Sequence, residues 1–346
     1  MAFVSSSPIY SGKRPHRRSS IKRTRWQSCA QPKKGVSELR EYERYLTQVA
    51  KTSPPPYLDG LLHALSASST RFTPPSIRTD LHPFLIPLVY DIESEVTTGL
   101  LRWPTPPDEM DLPIVQSSPR DPSLKLIAPS AKSYVTRQLA SADFAGNYEV
   151  RNSLRSACSL ALAYQNGDVD QSGVGLERFL ILKVGPFPDI YEGLVEFHKA
   201  KGDTQSALIT CERSANAHPG WGRAHAFHAN FLRELGREME ARDAARFCLQ
   251  MPLWTIGSVE TLLDMASLAG YEDSTSLCKI YKRLYEDDRK QEIADGKAPQ
   301  QVALDRAAYL LDVCFTDGSG WESIKEDLAA LYDEADMPDF ATFVRY

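Results

Sequence analysis

A chain of 346 residues with 42% hydrophobic side chains can bury a sizeable core, and its 40 Lys and Arg against 45 Asp and Glu give a formal net charge of −5. Nine of those basic residues and no acid lie in residues 1–34, so the body carries 31 basic against 45 acidic side chains. An acidic body disfavours tight nucleic-acid binding, which needs clustered cations, and the longest apolar run, Leu81 to Tyr90, contains Pro83 and Pro87 and falls short of the roughly 20 residues that span a bilayer.

Residues 1–35 are Ser-rich, begin Met-Ala and contain Pro8 and Pro15, which would break the amphipathic helix of a mitochondrial presequence. The segment resembles a chloroplast transit peptide, disordered, with removal expected near Cys29-Ala30. Nuclear and mitochondrial readings stay open, the former because Lys13-Arg14-Pro15-His16-Arg17-Arg18 is a basic cluster.

Residues 36–70 place Val36, Leu39, Tyr42, Leu46 and Val49 on one helical face, and Leu58, Leu61, Leu62 and Leu65 on another after Pro54-Pro55-Pro56. Helix signals then stop. Of 23 prolines, 14 lie between Pro54 and Pro129, which marks residues 71–129 as a small proline-rich β-containing module. Phe84–Val89 and Val96–Trp103 read as a hairpin around Asp91–Glu95, with Leu112–Gln116 and Leu124–Ile127 as short edge strands. Asp80 and His82 are the only acid–base candidates in this module.

Residues 130–285 are helical, opening with Ala131 to about Phe144, and they repeat. Gly202, Gly236 and Gly270 are 34 apart, Ala207 and Ala241 are 34 apart, and Tyr164 precedes His198 by 34. Four units follow in this register, 154–187, 188–221, 222–255 and 256–289. The second carries Tyr191, Leu194, Val195, His198, Gly202, Ala207, Cys211 and Pro219. The third carries His225, His228, Ala229, Leu232, Gly236, Ala241, Ala245 and Cys248. The outer two are degenerate, with Gly173 and Gly175 inside the first and Thr275 at the Ala position of the last. These residues resemble the tetratricopeptide repeat, as found in plastid-targeted proteins of plants and algae. The fold class is therefore expected to be mainly α, a right-handed helical solenoid of about four helix pairs behind the proline-rich module.

Residues 301–346 are expected to cap the array, with Gln301–Phe315 and Trp321–Asp333 as helices. The six cysteines show no Cys-x-x-Cys pair and read as core residues. His198, His225 and His228 are the one candidate metal cluster, but each occupies a repeat packing position, so no metal and no cofactor is expected.

The resemblance implies a concave groove lined by first-helix positions. On this sequence these are Arg155, Gln165, Asp189, Glu192, Glu196, Lys199, Arg223, Asn230, Arg233, Glu234, Glu260 and Asp264. The Lys, Asn and Arg clamp of chaperone-docking members is missing: the fifth positions hold Cys158, Glu192, Ala226 and Glu260. The expected function is a non-catalytic protein-interaction scaffold of the chloroplast stroma, an assembly or stabilisation factor for a plastid photosynthetic complex. Its partner would be a protein client presented as a helix or extended peptide, with no nucleic acid and no small-molecule substrate; peripheral membrane contact stays open. The alternatives are an organellar RNA-binding helical-repeat factor or an enzyme using the 71–129 module.

Overall fold

A computed structural model of the chain describes residues 35–66, 69–106, 111–271, 290–291 and 295–346. The leader with its cleavage point, Cys29, Thr275, Cys278 and the second half of unit 256–289 lie outside the described residues.

Helix α1 (Gly35–Gln48) buries Tyr42, Tyr45 and Leu46, and α2 (Leu58–Leu65) buries Leu58, Leu61, Leu62 and Leu65, the stripes set by a 3.6-residue period. The Tyr42 hydroxyl lies 2.7 Å from the carbonyls of both Thr73 and Leu88, which pins α1 to the sheet that follows. That sheet is a five-stranded antiparallel meander of β1 (Thr70–Phe72), β2 (Leu85–Asp91), β3 (Val96–Leu101), β4 (Ile114–Ser118) and β5 (Asp121–Ala128) in chain order. The expected hairpin is β2–β3. Of the two expected edge strands only β5 is an edge; β4 is paired on both sides, and the other edge is β1, too short to show alternation in the sequence. Pro87 cannot donate to the ladder, and the register slips between Pro87 and Val89. Opposite it stands Gly99, where a Cβ would collide with the Ile86 carbonyl.

Helix α3 (Ala131–Phe144) starts where the Ser130 side chain accepts the Ser133 N–H at 3.1 Å. It leads to α4 (Tyr148–Ala157), where the structure departs from the expected unit 154–187. Residues 158–167 form no helix, and α5 (Asp168–Ser172) and α6 (Leu176–Phe179) are short, α6 running on as a π-turn over Leu180–Val184. The cause is Asp143 at the end of α3. Its carboxylate accepts from Arg151 at 2.8 Å, from the Tyr164 hydroxyl at 2.8 Å and from the Gly167 N–H at 2.7 Å. Tyr164 thus anchors a loop and is not a helix-packing residue.

From Pro188 the expected pattern appears as helices. α7 (Pro188–Ala200), α8 (Thr204–Ala217), α9 (Gly222–Glu234), α10 (Glu238–Cys248) and α11 (Val259–Ala269) each pack on the next. The 34-residue glycines are the helix stops: Gly202, Gly236 and Gly270 follow α7, α9 and α11 at φ of 74°, 71° and 95°, which a side chain strains to adopt. Ala207, Ala229 and Ala241 are fully buried where neighbouring helices approach, as are Cys211 and Cys248.

The carboxyl-terminal helices are α12 (Pro299–Asp317), α13 (Lys325–Glu334) after a 3₁₀ turn at Trp321–Ile324, and α14 (Pro338–Arg345). The sequence showed the first two. They cap α11 less than they close the molecule on itself: Asp312 of α12 accepts the Leu253 N–H at 2.7 Å, and the Phe340 ring of α14 lies 5.3 Å from that of Phe84. One buried apolar cluster consequently runs from Tyr42 through the sheet and the middle helices to Val344. The chain is mainly helical with a small antiparallel sheet near its amino terminus.

Candidate functional site

Helices α7, α9 and α11 are the first helices of successive units, and their polar side chains meet across the seams between those units. They meet as ion pairs. Arg223 on α9 grips Glu192 on α7 through both nitrogens, Nε at 2.8 Å and Nη2 at 2.7 Å. Arg233 on α9 grips Asp264 on α11 at 2.8 and 2.9 Å and also donates to Asn230. Lys199 on α7 bridges Glu196 at 2.9 Å and Glu234 at 2.7 Å, and Arg137 on α3 binds both oxygens of Asp189. These rungs tie α3, α7, α9 and α11 into one face.

The rungs set the electrostatics of the face. Asp189, Glu192, Glu196 and Asp264 each have a cation beside them: Arg137 from α3, outside the repeats, for Asp189; Arg223 and Arg233 across the seams for Glu192 and Asp264; and Lys199 on its own helix for Glu196. Donating to Glu234 and then to Glu196 raises the Lys199 amine above its ordinary value, and donating to Asp264 does the same for the Arg233 guanidinium. The pairs are partly exposed, Glu192–Arg223 the least, so each adds on the order of 1 kcal/mol to stability; their effect is to fix side-chain positions. Glu260 sits exposed in the first turn of α11, where the free N–H groups of the helix favour an acid. Beside the Glu192–Arg223 rung a cavity of about 450 Å³ opens between β5 and α9, with Asn230 and Phe227 on one wall and Lys125 and Ser258 on the other.

Arg155 and Gln165 do not belong to this face. Arg155 at the end of α4 donates to the Tyr164 carbonyl at 2.7 Å, and the Gln165 N–H is held by Asp168 at 2.7 Å, both inside the loop that Asp143 organises. The three candidate histidines are not gathered either. His225 packs on Phe247 with ring centres 4.8 Å apart, and His198 faces Asp203 at 3.8 Å. Burial holds His225 and His228 below the ordinary imidazole range, and among the described residues no three His, Cys, Asp or Glu side chains converge on a metal position. Asp80 is exposed while His82 is fully buried, its ring 4.3 Å from that of Trp254 and 4.5 Å from that of Trp321. His82 Nδ1 accepts the Phe84 N–H at 3.2 Å, so the imidazole is a neutral core group. Arg137 is the face residue that sequence reasoning missed, since it lies outside the 34-residue register.

Three family models cover the chain in succession: PAB N-terminal over residues 40–183, the PAB middle domain over 188–272 and the PAB C-terminal domain over 277–346. A relative from Arabidopsis thaliana, "Protein IN CHLOROPLAST ATPASE BIOGENESIS, chloroplastic", is 35% identical over 305 residues, 87% of this chain and 90% of the relative. The chain belongs to the PAB family. No solved structure matches it. In PAB terms the ion-paired face is a property of the middle domain, whose match begins at Pro188 with α7, braced by Arg137 from the N-terminal region. The models that match are PAB models, and the tetratricopeptide resemblance rests on α7 to α11 alone.

Proposed function

We propose that this chain is a non-catalytic assembly factor of the chloroplast stroma that acts in biogenesis of the chloroplast ATPase. Its α7–α9–α11 face would hold a protein client of that complex. The observation that carries the reading is the relative whose printed name gives that role, matched over 87% of this chain. The basic, acid-free leader of residues 1–34 supports import into plastids. Two features support a binding role for the middle domain. Its helices follow a tetratricopeptide-like spacing that builds grooves from stacked pairs, and its polar side chains are held in fixed positions by the rungs and need little ordering when a partner docks. A helix or extended segment presenting paired charges with an apolar edge fits such a face.

The test is genetic and biochemical together. Loss of the gene should lower assembled chloroplast ATPase severalfold and leave its subunit transcripts and other plastid complexes unchanged, and the full-length chain should restore it. Normal ATPase assembly in the null line would reject the reading.

A further inference from the structure

A second surface, remote in sequence from the rungs, is built around Arg102. On the α7–α9–α11 face each arginine is held by a carboxylate. Arg102, at the end of β3, has neither hydrogen-bond nor ion-pair partner for its guanidinium among the described residues, and its Nε is buried and unsatisfied. The group rests instead over aromatic rings, 4.5 Å from the centre of Phe340 and 5.2 Å from that of Phe343. It lines a cavity of about 340 Å³ between the Lys51–Pro56 loop and the start of β4. Lys51 enters the same cavity from an exposed left-handed turn at φ 49° and likewise has no acid partner among the described residues. Thr52 and Ser53 add hydroxyls, and among the described residues Asp111 is the one carboxylate on the walls.

A half-buried guanidinium without an ion pair is unfavourable, and burial pushes its pKa down to about 10, only partly offset by the charge of Asp339, which lies beyond ion-pair distance. A ligand carboxylate would satisfy it. The remaining walls narrow the ligand further: Pro54 to Pro56, Pro104 and Pro113 present rigid apolar rings, and Trp103 is fixed in place 5.3 Å from Trp254 and 6.1 Å from Trp221. A small free anion would leave those surfaces uncovered, whereas an extended backbone lies well against proline and indole.

We propose that this cavity binds an extended, acidic protein segment, with a Glu or Asp side chain of the segment reaching Arg102 and Lys51. It is a second client contact, on the N-terminal region, and it does not depend on the α7–α9–α11 face.

The test is calorimetric titration of the full-length protein with a short peptide alternating Pro and Glu, against its Pro and Gln counterpart and free glutarate. The Pro-Glu peptide should bind, weaken with added salt, and bind about tenfold or more tightly than either control. Arg102→Gln should reduce its affinity by about tenfold or more, and Lys51→Gln by several-fold. Lys51 is exposed, so that variant keeps the test decisive should Arg102→Gln disturb packing against Phe340. Three results overturn the proposal: no binding of the Pro-Glu peptide, unchanged affinity in Lys51→Gln, or glutarate binding as tight as the peptide, which would mark a small-anion site. Because the probe is synthetic, the outcome is independent of whether the chloroplast ATPase is the client.

Discussion

Arg78 donates a 2.6 Å hydrogen bond to the carbonyl of Phe343, 265 residues further along the chain, and its guanidinium lies 4.1 Å from the centre of that same residue's ring. Arg78 also donates to Leu85 at 3.1 Å and to the Pro83 carbonyl, and it is only 2% exposed. One side chain thus holds the entry to β2 and the last helix together.

Replacing Arg78 by Leu should destabilise the protein by on the order of 2–5 kcal/mol, because three buried carbonyls lose their donor at once. Lysine should rescue little, since one ammonium cannot reproduce a planar fork aimed at three acceptors. Denaturant unfolding of both variants checks this, and a midpoint in Arg78→Leu close to wild type would show that the contact holds nothing. Removing residues 338–346 should expose Phe84 and lower stability by a comparable amount.

How much of this was legible follows from which interactions are local. Gly202, Gly236 and Gly270 could be read because a helix stop is a local event, and so could the stripes of α1 and α2. The first unit was misread because Tyr164 sits at a repeat position but is bound by Asp143, 21 residues away, a pairing no periodicity shows. β1, at three residues, is too short to show a period, whereas α14 has the same eight residues as α2 but buries adjacent pairs, Phe340-Ala341 and Phe343-Val344, over a single short span at the chain's end. On the candidate face the sequence named most of the side chains, yet not their partners, since each rung joins different helices and Arg137 stands outside the register.

Asp312 makes stability depend on pH. Burial pushes its carboxyl up to about 7, only partly offset by the Leu253 N–H it accepts. In the unfolded chain an aspartate titrates near 3.9, so the folded state holds the extra proton between those values. The contribution is therefore fully present below about pH 4 and lost as pH rises through about 7. Asp312→Asn keeps an acceptor for Leu253 and removes the charge. It should raise stability at pH 8 by on the order of 1–3 kcal/mol and leave it nearly unchanged at pH 4. Equal unfolding midpoints at pH 8 would contradict a buried, proton-holding Asp312.

Close helix approach gives a packing prediction. Ala241 is fully buried on α10, and a Cβ on Gly222 would fall 2.5 Å from the Ile256 side chain. Ala241→Leu should cost about 1–3 kcal/mol by overpacking, and Gly222→Ala should also destabilise because Ile256 must move. Thermal unfolding reads both, and an unshifted Ala241→Leu transition would show that α10 does not press on its neighbours there.

The rungs separate fold from function on the proposed face. Reversing Glu192 and Glu196 to Lys breaks the pairs with Arg223 and Lys199 and leaves like charges facing across the α7–α9 seam at Arg223 and along α7 at Lys199. Both pairs keep contact with solvent, so helicity should be retained and the unfolding midpoint should fall modestly. Association with the client should slow, and more so at low salt, because complementary charge acts mainly on encounter and register. A swap, Glu192→Arg with Arg223→Glu, restores the rung but inverts its direction. If the client reads the individual charges, the swap should bind as poorly as the reversal; if the rung matters only as a brace, the swap should recover wild-type association. Stopped-flow association of the full-length variants with the isolated client distinguishes these cases, and wild-type rates in both variants would place the client off this face.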